Sequence, residues 1–315
     1  MRCPTETTDD DDWDITTGVG LTAAGVAAAR AAETARTDRL CHDPYAAALT
    51  TAADTPMPLP TRLVEPTEPG WDSELSDLWE TMVTHMGLRT RFFDDYLTGA
   101  TESGVHQVVL LAAGLDTRAH RLDWPAGTNV FELDQPQVLE FKDRVLTEQD
   151  ATHPNCLRCV VTVDLRADWP TALRQAGFDP HAPTAWLAEG LLPYLPEQAE
   201  RDLFTRITSL SAPGSRLGTH ESHDLAAHES DPRWTRLVEC FGIDPAHWMH
   251  AEATRPDPHD WFSHHGWDTS NTTGAELGAR YDRPLTPDTT DLFAARSHYY
   301  IAHLPQHAHR AGDFR

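Results

Sequence analysis

The stretch Gln107–Asp134, QVVLLAAGLDTRAHRLDWPAGTNVFELD, decides the fold. Val108, Val109, Leu110 and Leu111 form an unbroken apolar run that opens on β-branched residues. A strand buried on both faces, as in a parallel sheet, has that pattern. The run gives way to Ala112, Ala113 and Gly114, small residues that let a ligand reach the backbone. Thr117–Arg121 then predicts the start of a helix. Asn129–Leu133 predicts a second strand, which ends on the carboxylate of Asp134. Strand, glycine turn, helix, strand and acid, with about 20 residues from glycine to acid, is the layout of a nucleoside site. In it the carboxylate bonds a ribose diol.

The full dinucleotide fingerprint is missing. Only Gly114 stands where GxGxxG needs three glycines, and the turn continues Leu115-Asp116. A pyrophosphate wants the missing glycines and no carboxylate beside it. The turn therefore suits a nucleoside whose tail is not phosphate. S-adenosylmethionine, with a zwitterionic tail that carries a sulfonium, fits. Taken alone, the stretch is also compatible with an ordinary βαβ unit in which Asp134 caps a loop.

Outward from this stretch, strands and helices alternate. Further strands are predicted at Cys159–Asp164, Thr184–Ala188, Ser215–His220, Gly266–Ser270 and Ser297–His303. Helices are predicted at Gln137–Gln149, Trp169–Ala176, Glu197–Ser209 and up to His265. This is the pattern of one α/β, doubly wound domain. Its ligand belongs beyond the carboxyl ends of the strands. Those ends carry Gly114, Asp134, Asp164, Glu189 and His220-Glu221. Four of the five bear an acid, which favours a ligand site over chance.

Before the alternation, residues 16–104 read as a helical cap. Its helices are Thr22–Ala35, one starting at His42-Asp43-Pro44-Tyr45, and Leu75–Leu97. Residues 105–315 form the α/β domain, and 222–260, irregular and rich in Asp, Pro, His and Trp, reads as a lid. Asp9–Asp12 mark residues 1–15 as an acidic, disordered tail. The Arg and Asp residues of RTRFFDDY (Arg89–Tyr96) are spaced to pair along one helix.

A net charge of −24 argues against duplex DNA and anionic membranes as partners. No apolar run approaches the ~20 residues that span a bilayer. No signal peptide opens the chain, so a cytoplasmic protein is expected. Five cysteines do not make a disulfide framework. Cys156 and Cys159 form a lone CxxC, and the 18 histidines show no helix-spaced ligand pair, so no metal site is expected. Trp234, Trp248, Trp261 and Trp267 read as packing residues.

Several strings together resemble the leucine carboxyl methyltransferase-like family of S-adenosylmethionine-dependent methyltransferases, in its actinobacterial branch. They are RLCHDPYAAAL (Arg39–Leu49), LRTRFFDDYL (Leu88–Leu97), AAGLDTRAHRL (Ala112–Leu122) and VFELDQPQVLEFK (Val130–Lys142). VDLR (Val163–Arg166), WLAEGLLPYLP (Trp186–Pro196) and GWDTSNTTGAELGARYDRP (Gly266–Pro284) complete the set. The resemblance implies a Rossmann-like class I methyltransferase fold, with a mostly parallel seven-stranded sheet and helices on both faces. It implies S-adenosyl-L-methionine as cofactor. Gly114 would pass close to its methionyl part, Asp134 would hold the ribose, and Asp164 with the Leu165 backbone N–H would hold the adenine. Glu189 would lie near the methionyl and ribose portion. Arg89 would pair with the methionine carboxylate, with Arg91 as its rival.

The expected reaction is O-methylation of a small-molecule carboxylate or hydroxyl in secondary metabolism. A carboxylate needs no base. A hydroxyl does, and His220 and His223 are the candidates. Tyr194 is a candidate to orient the acceptor. The alternatives are carboxyl methylation of a peptide or protein and, in another class, a nicotinamide-dependent oxidoreductase.

Overall fold

Leu111 and Val109 face one side of the molecule and Val108 and Leu110 the other, all buried, so the apolar run that opens the decisive stretch is a strand covered on both faces. The computed structural model describes residues 19–151, 154–222, 231–244, 248–250, 255, 257–285 and 297–306. The acidic tail, His223 and much of the expected lid lie outside those residues.

The strands are β1 (Gln107–Leu111), β2 (Asn129–Asp134), β3 (Leu157–Thr162), β4 (Thr184–Ala188), β5 (Arg216–Ser222), β6 (Asp268–Thr273) and β7 (Ser297–His303). They form one seven-stranded sheet in the order β3-β2-β1-β4-β5-β7-β6. β1 to β5 are parallel, while β7 runs antiparallel to both β5 and β6. The order reverses between β1 and β4, which opens the crevice where such sheets bind ligands.

On one face Val109 and Leu111 pack with Trp169 and Leu173 of α6 (Trp169–Gln175) and with Phe204 and Ile207 of α7 (Glu197–Leu210). On the other, Val108 and Leu110 meet Leu88, Phe93 and Leu97 of the long helix α3 (Ser73–Glu102). Each such side chain contributes about 1.5–3 kcal/mol through burial. The remaining helices before β3 are α1 (Val19–Thr34), α2 (Ala46–Ala52), α4 (Arg118–Arg121) and α5 (Pro136–Glu148).

Three details differ from the expectation. β3 stops at Thr162, so Asp164 belongs to the loop beyond it. A helix, α8 (Pro232–Phe241), forms inside the stretch read as irregular. Asp231 caps it by accepting from the Arg233 N–H at 2.8 Å, Pro232 fits its first turn, and Gly242 ends it at φ 66°. Trp234, Leu237, Val238 and Phe241 recur at helical spacing along it, a stripe masked in the sequence by the surrounding Asp, Pro and His. Finally, α9 (Pro258–His264) and β6 are followed by α10 (Gly274–Arg280), whose start is fixed by a Thr273–Glu276 capping box.

Candidate active site

A cavity of ≈ 300 Å³ lies at the switch between β1 and β4, roofed by α1, α3 and α8. The turn after β1 forms its edge. Ala112 (φ 52°) and Gly114 (φ 47°) are both left-handed. For alanine that conformation carries strain of the kind that clusters at functional sites. The Gly114 N–H donates to Asp134 Oδ2 at 2.6 Å, and the Gln135 N–H donates to Oδ1 at 2.7 Å. These bonds lock the carboxylate that ends β2 against the turn that ends β1. Burial pushes the Asp134 carboxyl up, opposed by the two amides.

Glu189 follows β4 and also lines the cavity. Its Oε1 accepts from Arg89 Nε and its Oε2 from Arg118 Nη1, each at 2.8 Å. Burial pushes Glu189 up, but Arg118 and Arg89 more than reverse it, so the group stays ionised. Arg118 also reaches Asp94 at 2.7 Å and bonds Asp116. Arg121 clasps both oxygens of Asp94, at 2.6 and 2.7 Å. Asp116, the carboxylate at the turn that argued against a pyrophosphate, is matched by these arginines. Burial opposes them, yet its carboxyl is held down at about 2.

His220 lies near the carboxyl end of β5, lines the cavity and is 5% exposed. The Gly190 N–H points to its Nδ1 at 3.3 Å, and Arg89 Nη1 lies 3.4 Å from its Nε2. Both nitrogens thus face donors, while a neutral imidazole can accept at only one. Burial, and then the Arg89 charge, push its basicity well below the ordinary histidine range. Tyr194 lines the same cavity and bonds the Thr22 side chain; burial raises its phenol.

The structure therefore brings Arg89, Gly114, Asp134, Glu189, Tyr194 and His220 to one cavity. His223 lies outside the described residues. Asp164 and Leu165 are not on the cavity wall; Asp164 is gripped by its neighbour Arg166, with Nη2 at 2.6 Å. Arg91, the rival of Arg89, is on the outer side of α3, paired with Asp95 at 2.8 Å. Of the pairing expected within RTRFFDDY, only that contact forms on the helix. Asp94 reaches across to Arg118 and Arg121 of α4 instead, and Arg89 to Glu189 just past β4. The sequence reading missed Arg118, Arg121, Asp94 and Arg30, whose Nη2 donates to the Leu115 carbonyl at 2.6 Å. It also missed His85, a buried side chain one turn before Arg89 on the cavity wall. The four-residue spacing of His85 and Arg89 was the available signal.

The leucine carboxyl methyltransferase family model matches residues 23–208. The chain belongs to that family. Its relatives include a candidate S-adenosyl-L-methionine-dependent methyltransferase of Mycolicibacterium paratuberculosis, 47% identical over 305 residues, covering 90% of this chain and 93% of the relative. A protein of the same description from Rhodococcus jostii is 47% identical over 302 residues, covering 94% and 99%. Among solved structures, a candidate methyltransferase from Thermobifida fusca shares the fold, with a TM-score of 0.52 at 19% identity over 90% of this chain and 94% of that one. This member of the leucine carboxyl methyltransferase family is an S-adenosyl-L-methionine-dependent methyltransferase, and the nicotinamide reading is set aside. Among the described residues no helix is long and apolar enough to cross a membrane.

Proposed function

We propose that the chain methylates a carboxylate oxygen of a small-molecule acid, releasing a methyl ester. Asp134 would hold the ribose hydroxyls. It is a buried carboxylate on the cavity wall, and each oxygen keeps a lone pair beyond the amide it accepts. Arg89, fixed by Glu189, would meet the methionyl carboxylate. Asp164 and Leu165 follow the strand next to β2 but lie off the cavity wall, so they would meet the adenine only where it extends past the cavity. When bound, S-adenosyl-L-methionine supplies an electrophilic methyl carbon: an acceptor lone pair forms the O–CH3 bond, the C–S pair stays on sulfur, and S-adenosylhomocysteine leaves. The chain's residues position the acceptor and exclude water, effects that lower a barrier by roughly 7–11 kcal/mol when geometry is good.

His220 is the observation that favours a carboxylate over a hydroxyl. A general base works best with a pKa near the working pH. His220 lies well below that, and the Tyr194 phenol lies above its ordinary value and stays protonated. A carboxylate is already ionised and asks for no base. The family's description, leucine carboxyl methyltransferase, supports the same chemistry, including a peptide ending in leucine as a second reading. The net charge of −24 supports a small acceptor over nucleic acid.

The test is mass spectrometry after incubation with S-adenosyl-L-methionine and a panel of monocarboxylic acids, their matching alcohols and a leucine-ended peptide. Methyl esters formed at a rate flat between about pH 6 and 9 are expected. Ethers from the alcohols, with esters absent, would overturn the carboxylate reading.

A further inference from the structure

We propose that the acceptor is a monocarboxylic acid with an apolar body, seated in a second chamber of the same cavity beyond the sheet edge. This inference rests on the methyltransferase reading and narrows its acceptor.

Helix α3 serves as a ruler. The Tyr96 hydroxyl donates to the Trp186 carbonyl in the middle of β4, at 3.0 Å. Arg89, two turns earlier, meets Glu189 just past the end of β4. Met82 lies seven residues further back, about 10 Å along the helix. α3 therefore overhangs the carboxyl edge of the sheet. Met82, His85, Met86 and Arg89 stand at positions i, i+3, i+4 and i+7 of one helix face and all line the cavity. Along that stripe the wall changes from charged, at Arg89, to apolar, at Met82. His85 stands at the boundary.

The apolar stripe of α8 continues this wall. Leu237 and Phe241 are buried against Trp79 and Met86, and the Phe241 ring lies 5.5 Å from that of Trp79. The aromatic part of the wall is thus stiff. Thioethers lie among it: Met82, Met86 and Met249 are three of the chain's five methionines, and all three line the cavity. Methionine is flexible and polarizable, and recurs where a surface must fit varied apolar shapes. A polar body placed there would leave water for a wall with few partners. An apolar one would gain with each methylene buried. The acceptor's carboxylate would sit beside His85, next to the cofactor's end of the cavity, and its body among Met82, Met86, Leu237 and Phe241.

The experiment is calorimetric binding of straight-chain acids from four to ten carbons, and of the matching dicarboxylic acids, to the wild-type protein saturated with S-adenosylhomocysteine. Affinity should rise by up to roughly fourfold per added methylene until the chamber is full, and the dicarboxylic acids should not bind. Met82→Glu should abolish binding of the acids while S-adenosylhomocysteine affinity stays within about twofold. Met86→Leu, which keeps the apolar volume, should preserve both. Should Met82→Glu fail to fold, the wild-type series decides. Dicarboxylic acids that bind as well as the apolar ones, or an affinity indifferent to chain length, would overturn the proposal. If S-adenosylhomocysteine binds and no chain-length dependence follows, only this inference fails. If S-adenosylhomocysteine does not bind, the methyltransferase reading fails with it.

Discussion

The two halves of the cavity are made of different materials. At the sheet edge the buried Asp134 and the half-buried Glu189 and Asp116 are carboxylates met by backbone amides or guanidinium groups, with Asp94 of α3 behind them sharing Arg118. Under α1, α3 and α8 the wall is methionine, leucine, tryptophan and phenylalanine. The first half is tied into the strand ends and cannot move without the sheet. The second is carried on helices, whose side chains can change without disturbing a strand. On the proposed reading, recognition of the cofactor would belong to the rigid half and choice of acceptor to the replaceable one.

The sharpest way to break this contrast is at Arg118, which joins Asp94, Asp116 and Glu189 at the charged edge. Arg118→Met should destabilise the fold by about 3–5 kcal/mol, because it takes from Asp116 its guanidinium partner and from Asp94 and Glu189 one of two. Chemical denaturation measures it, and a loss below 1 kcal/mol would show the network to be dispensable. Asp134→Ala comes next. It should weaken S-adenosylhomocysteine binding by about 100-fold, equivalent to roughly 2.7 kcal/mol, with the melting transition still cooperative. Unchanged affinity in that variant would remove Asp134 from the site.

His220→Asn should cost less than about tenfold in kcat, where loss of a general base costs roughly 10²–10⁴-fold. Its pH–rate profile should keep the wild-type shape; a lost limb would restore His220 as a base. The smallest effect lies away from the cavity. Burial, with Glu200 and Asp257 nearby, pushes the Glu221 carboxyl up to about 8 from its ordinary 4.5, against the pull of Arg255. The folded state holds this proton more tightly than the unfolded one. The stability so contributed is full below about pH 4.5 and is lost as pH rises through about 8. Glu221→Gln, neutral throughout, should therefore lose less Tm than wild type between pH 5 and 9, by roughly 2–4 °C. Parallel curves would refute the raised value.

The same contrast separates what could be read in the sequence from what could not. A strand buried on both faces writes itself as Val108–Leu111, and Gly114 and Asp134 follow it within one βαβ unit, so the charged edge was legible. β4 and β7 were read at their observed bounds for the same reason. The partners of the acids were not legible. Asp94 looks like half of a helical pair with Arg91, yet its partners Arg118 and Arg121 are 24 and 27 residues away. The apolar half escaped because it is assembled from short stretches of three helices, one of them α8, whose stripe is short and flanked by polar residues. The distance of Asp164 from the cavity followed from β3 ending two residues early, which no periodicity marks.

The account's central claim is that the acidic strand ends hold the cofactor in this cavity. A crystal structure with S-adenosylhomocysteine tests it most directly. The ribose hydroxyls should be found on Asp134 and the homocysteine carboxylate on Arg89. A ligand bound elsewhere, or one in the cavity that leaves Asp134 untouched, would contradict it.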